Sequence, residues 1–213
     1  GDVIVEADWC VGEFIKTLRQ EGLLENTLIV FSSDNGPVVN DGYHDDSVEK
    51  LGDHIPAGPL RGGKYSLFEA GTRVPFITYW KGTILPGVSD ALVSQLDLLS
   101  SIANFAGSNQ KGQDSEDLMA TFLGKSKTGR KELILEATSR TAFRKGNWVM
   151  IPPYKGKRVN TSVNIELGND IIYQLYNLND DLGQQNNMAQ AYPEKLAKMI
   201  TAYKEILDKK PKR

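Results

Sequence analysis

NTLIVFSSDNGP, residues 26–37, changes character within a few positions. An apolar, partly β-branched run gives way to two serines and then to an acid, an amide and a glycine. The run predicts a strand over Thr27–Ser33, and its lack of polar alternation predicts a central parallel strand covered on both faces. Asp34, Asn35 and Gly36 then fall at the carboxyl end of that strand, which is where open α/β sheets hold ligands. A carboxylate beside an amide oxygen suits a hard cation such as calcium or magnesium. The same residues are also the commonest turn formers, so the tripeptide by itself leaves both readings open.

Upstream, Val3, Ala7, Val11, Phe14 or Ile15, and Leu18 recur at helical spacing, and Gly22 stands where a helix would stop. Cys10, the one cysteine, lies inside that helix with no basic neighbour to activate it and reads as a packing residue. Downstream, residues 37–63 form a long glycine- and proline-punctuated loop of the kind that often carries function. A strand is predicted over Val74–Trp80, with Pro75 at its start, followed by a helix through Leu96, Leu99, Ile102 and Ala106. Leu118–Leu123 reads as a helical turn. Leu133–Ala137, Ala142–Ile151 and Ile171–Leu178 read as antiparallel strands, and Pro193–Leu207 as a proline-initiated amphipathic helix. The change of character places a boundary near residue 131, dividing an α/β part (1–131) from a small α+β part (132–213).

Other constellations are weaker. GPLRGGK, Gly58–Lys64, matches the first seven positions of a phosphate-binding loop, but Tyr65 stands where Ser or Thr should hold magnesium. No strand precedes it, and the nucleotide reading is rejected. What remains is a Gly62-Gly63 turn that sets Arg61 and Lys64 near one pocket, with lysine suited to an oxyanion such as sulfate or phosphate; an exposed lysine after a flexible turn is the alternative. His54 is a further candidate for that pocket, whereas His44-Asp45-Asp46 reads as a solvated loop. Asn160-Thr161-Ser162 is a glycosylation sequon that matters only in a eukaryotic secretory pathway.

The totals exclude some classes. The 213 residues are 40% hydrophobic and 24% charged, ordinary for a globular protein. A net charge of -2 offers no basic field for nucleic acid, and the basic end Lys209–Arg213 reads as a solvated terminus. One cysteine permits no intrachain disulfide, no apolar run approaches a membrane span, and no signal peptide is visible. The first residues, Gly1-Asp2, lack an initiator methionine, which suggests a processed or truncated product.

The chain resembles the C-terminal part of a type I, formylglycine-dependent sulfatase of the alkaline-phosphatase-like superfamily. The resemblance runs in order through Asn26–Pro37, PLRGGKYSLFEAGTRVPFI (59–77), SQLDLLSSIANFAG (94–107), DSEDLMATFLG (114–124) and QLYNLNDDLGQQNNMA (174–189). It implies that Asp34 and Asn35 ligate calcium in the complete enzyme, with calcium binding weak or absent in this piece, and that Lys64 contacts the sulfate group. On that reading the long loop Val38–Pro59 helps shape the substrate pocket, with His54, Arg61 and Tyr43 as candidates. It also implies a partial mixed sheet with helices, then a small four-stranded antiparallel sheet packed with a terminal helix. The family's nucleophile comes from a C/S-x-P/A-x-R motif. Cys10 is followed by Val-Gly-Glu and no other stretch fits, so no catalytic nucleophile is expected in this chain. The expectation is a sulfatase piece that carries one wall of the site, inactive alone, and prone to hold a missing N-terminal segment or to self-associate. A phosphodiesterase or phosphonate hydrolase of the same superfamily, and a non-catalytic module that binds a glycan or packs on a partner, are the alternatives. The resemblance fits a periplasmic or secreted parent acting on sulfated sugars or aryl sulfates.

Overall fold

The computed structural model describes residues 1–209; the basic end from Lys210 lies outside the described residues. In chain order the elements are α1 (Asp2–Gln20), a 3-10 turn (Leu24–Asn26), β1 (Ile29–Ser32), α2 (Glu69–Thr72), β2 (Phe76–Tyr79), α3 (Asp97–Phe105) and α4 (Met119–Phe122). Then come β3 (Glu132–Ala137), β4 (Arg140–Lys145), β5 (Trp148–Ile151), β6 (Val159–Asn160), β7 (Ile165–Glu166), β8 (Gln174–Asn177) and α5 (Pro193–Leu207). The architecture is α/β with antiparallel sheets and a C-terminal helix. The described elements form two compact units: residues 1–32 with 76–129, and residues 33–75 with those from 130 to 209.

In the first unit β1 pairs antiparallel with β2, Phe31 opposite Ile77 and Ile29 opposite Tyr79. This corrects the expectation of a parallel strand covered on both faces. A continuous apolar run is common in parallel strands but does not fix the direction of the neighbour, which here is supplied by a segment more than forty residues on. One face of the pair is covered: Phe76 stacks at 5.3 Å on Phe122, and the Thr78 hydroxyl donates to the Phe122 carbonyl. On the other face Phe31, Ile77 and Tyr79 are exposed, and α3 likewise exposes Leu99, Ile102 and Phe105. Helix α1 forms where its periodicity predicts, yet buries no residue, and Cys10 is exposed rather than packed.

The second unit is built on the four-stranded sheet β3-β4-β5-β8, antiparallel throughout. The single strand expected over Ala142–Ile151 is a hairpin turning at Gly146, whose φ of 57° suits glycine at the corner. The strand expected over Ile171–Leu178 shortens to β8. Alternation sorts the side chains. Phe143, Met150 and Leu175 face α5 and its Met199, Leu196 and Ile200. Ala142, Val149, Ile151 and Tyr176 face Leu67 and Phe68 instead. Residues 66–71, which follow the Gly-Gly-Lys segment, are buried and pinned to that sheet. Their support is the backbone bond from Leu67 to Leu167 (3.1 Å) and the Gln184 side chain, which accepts the Glu69 N–H at 2.7 Å.

Candidate functional site

Chemistry-bearing residues gather where residues 33–37 meet residues 61–71. The contact is made by backbone. The Gly36 N–H donates to the Gly71 carbonyl at 2.9 Å, and the Lys64 N–H to the Pro37 carbonyl at 3.0 Å. Approach this close demands glycine. A Cβ on Gly36 would lie 1.5 Å from the Ala70 oxygen, one on Gly71 2.1 Å from the Ser66 oxygen, and one on Gly63 2.5 Å from the Pro37 oxygen. The knot therefore holds the Asp34-Asn35 turn a few residues from Lys64.

Asp34 is exposed and Asn35 half-buried. One Asp34 carboxylate oxygen accepts the Asn35 N–H at 2.8 Å, and the Asn35 amide donates to the Gly36 carbonyl at 3.0 Å. The second Asp34 oxygen and the Asn35 side-chain oxygen stand outside those bonds. Both are hard donors of the kind calcium takes, but calcium usually takes about six to eight oxygens. Among the described residues no group of three or more His, Cys, Asp or Glu is placed to hold a metal. The pair fits part of a cation's shell.

Lys64 is engaged. Its Nζ donates to Asp41 Oδ2 at 2.6 Å, and the Tyr65 hydroxyl donates to Asp41 Oδ1 at 2.8 Å. The bond to Lys64, then the one to Tyr65, holds the Asp41 carboxyl below its ordinary range, and the same contact raises the Lys64 ammonium above its own. Tyr65 adopts a positive φ of 78°, an uncommon conformation for a bulky side chain.

The other expected residues lie differently. Arg61 makes a bidentate pair with Glu166 (2.7 and 3.0 Å), donates to the Gln184 carbonyl at 2.6 Å, and sits 4.1 Å over the Phe68 ring. The ion pair raises Arg61 and lowers Glu166. His54 is exposed on the 37–63 loop, as are Tyr43 and His44. Beneath the site, buried Glu69 pairs with Arg144 at 3.1 Å and with Arg73 at 3.5 Å.

Asp41 and Tyr65 were not identified from sequence. Asp41 stood in a loop rich in acids, and Tyr65 counted only as a mismatch to a nucleotide motif. The one available signal was that an oxyanion-binding lysine needs a partner to fix its long side chain.

The Sulfatase family profile matches residues 1–108. Over 198 residues the chain is 41% identical to an N-acetylgalactosamine-6-O-sulfatase of Bacteroides thetaiotaomicron, covering 91% of this chain and 39% of that protein. It is 36% identical over 135 residues to human arylsulfatase A, covering 62% of this chain and 25% of the relative. A solved structure described with glycosaminoglycan metabolism by Bacteroides thetaiotaomicron superposes with a TM-score of 0.93 at 38% identity, over 97% of this chain and 44% of that one. A Pseudoalteromonas sulfatase gives a TM-score of 0.75 at 26% identity, over 97% and 42%. The chain thus spans about two fifths of the length of the first relative it matches.

Proposed function

This chain belongs to the sulfatase family, and we propose that it takes part in the hydrolysis of sulfate esters of a sugar, supplying one wall of the active site. The observation that supports this is the backbone knot itself, which brings the Asp34-Asn35 turn to Lys64 through the Gly36–Gly71 and Pro37–Lys64 bonds. In this reading Lys64 binds the sulfate oxygens through its ammonium N–H groups. Asp34 and Asn35 would hold a calcium ion together with ligands from elsewhere in the fold. When bound, that ion would supply positive charge against which sulfate oxygens are stabilised. The 213 residues hold no C/S-x-P/A-x-R stretch, so the chain's part is binding and orientation rather than nucleophilic attack.

The similarity to an N-acetylgalactosamine-6-O-sulfatase supports a 6-sulfated amino sugar as the substrate class. The apolar face formed by Phe31, Ile77 and Tyr79 supports a chain that packs against further sulfatase-fold polypeptide. The test is a pair of titrations on the full chain, with calcium and with 6-sulfated N-acetylgalactosamine. Calcium binding by this chain alone is expected to be weak, since the pair supplies only part of the shell, and Asp34→Ala is expected to weaken it further; Lys64→Ala is expected to abolish sulfate-ester binding. Binding of both ligands unchanged in both variants would refute the assignment.

A further inference from the structure

Resting on the reading of Lys64 as the sulfate-binding cation, we propose that Asp41 is a specificity-determining residue. It favours singly charged sulfate esters over doubly charged phosphate monoesters. A sulfate monoester carries one negative charge at all ordinary pH, whereas a phosphate monoester gains its second above about pH 6. A lone ammonium would attract the dianion more strongly, by Coulomb's law. Lys64 is not alone. Asp41 lies 2.6 Å from it, and the two side chains sum to zero charge.

The carboxylate is held from both sides. One oxygen takes the Lys64 ammonium and the other the Tyr65 hydroxyl, so Asp41 is fixed beside the ammonium. These are the charged and titratable groups that face it, and Lys64 in turn faces Asp41 and the Tyr65 ring at 5.3 Å. An ammonium has three N–H donors, so two remain for an oxyanion. A monoanion can accept them while the nearby carboxylate offsets part of the attraction. A dianion gains a second unit of attraction but also meets a second unit of repulsion, and it must shed more solvent. The pair therefore rewards hydrogen-bonding geometry, and the small residual attraction for the extra charge is offset by the dianion's larger desolvation cost.

The test is a nuclear magnetic resonance titration of the full chain with N-acetylgalactosamine 6-sulfate and N-acetylgalactosamine 6-phosphate, an alkyl phosphate whose second charge appears at about pH 6, at pH 5 and pH 8. The sulfate ester keeps its charge at both values and controls for changes in the protein. In the wild type the phosphate ester is expected to bind no more tightly at pH 8 than at pH 5. In Asp41→Asn it is expected to gain about tenfold over the same interval, the worth of one further unit charge near an unmasked ammonium. Tyr65→Phe keeps the carboxylate charge and should keep the wild-type preference, which separates charge from geometry. An equal gain in wild type and Asp41→Asn, or none in Asp41→Asn, would overturn the role given to Asp41. If Lys64→Ala binds both esters as well as the wild type, the oxyanion reading fails and the specificity proposal with it.

Discussion

Replacing Gly36 by alanine should dismantle the site without touching any of its charged groups. The added Cβ would stand 1.5 Å from the Ala70 oxygen and 2.7 Å from its carbon, where real Cβ contacts do not fall below 3.0 Å. Both neighbours are backbone, and Ala70 is 1% exposed, so neither segment can yield by rotating a side chain. The two segments must part, and the Gly36–Gly71 and Lys64–Pro37 hydrogen bonds are lost with that movement. Each such bond contributes about 1 kcal/mol net, and a buried group left unpaired costs about 1–3 kcal/mol more. The variant should therefore be less stable by about 3–5 kcal/mol, a large share of the roughly 5–15 kcal/mol that holds a typical domain together. Urea unfolding with hydrogen exchange at the Lys64 amide reads both effects: a lower midpoint and lost protection. Gly12→Ala is the control. Its Cβ meets nothing within 4 Å in the interior of α1, so it should be neutral or stabilising by about 0.5–1 kcal/mol. An unchanged midpoint together with a protected Lys64 amide in Gly36→Ala would refute the claim that close backbone approach builds the site.

Arg144→Ala strands the Glu69 carboxylate, 2% exposed, with only the longer contact to Arg73; it should cost about 3 kcal/mol in urea unfolding, and a loss below about 1 kcal/mol would refute a structural role for the pair. Arg61 depresses the Glu166 carboxyl below its ordinary 4.5, so the native state binds that proton less readily than the unfolded chain. The stabilisation is present above about pH 4.5 and is lost as pH falls through the lowered value; Glu166→Gln should flatten that acid limb of the stability curve, and an unaltered limb would refute the linkage. The free apolar face of β1 and β2 should make the chain self-associate when nothing else covers it, so sedimentation showing a monomer at every concentration would count against that reading.

Legibility in the sequence followed the range of the interactions. Helix α5 was readable end to end because Pro193 fixes its start and its spacing shows one apolar stripe, both local facts. The strands of the four-stranded sheet were readable as strands, while the turn at Gly146, marked locally by Lys145-Gly146-Asn147 between two apolar stretches, was read as part of one strand. Nothing local specifies that β1 pairs antiparallel with β2, whose residues lie more than forty positions away. Cys10 shows the converse. Helical spacing marks a face that seeks cover, but not whether the cover lies within the same chain, and α1 buries nothing here. Arg61 read as a ligand-binding cation because its partner Glu166 stands 105 residues on, beyond any motif.

The glycines explain why the site residues could be singled out at all. Backbone-to-backbone approach at Gly36, Gly63 and Gly71 occupies amides and carbonyls and leaves side chains uncommitted. Asp34 and Asn35 can thus present oxygens, and Lys64 can turn its ammonium to Asp41, on a platform whose own bonds are satisfied. The platform is in turn pinned to the sheet through Leu67 and Phe68, with Glu69 buried beneath and paired to the half-buried Arg144. A scaffold rigid at the backbone lets the charged groups be exchanged without loss of position. On the proposal made above, Asp41 is a place where charge selectivity can change while the fold does not, since it stands on the loop and its carboxylate bonds to Lys64 and Tyr65.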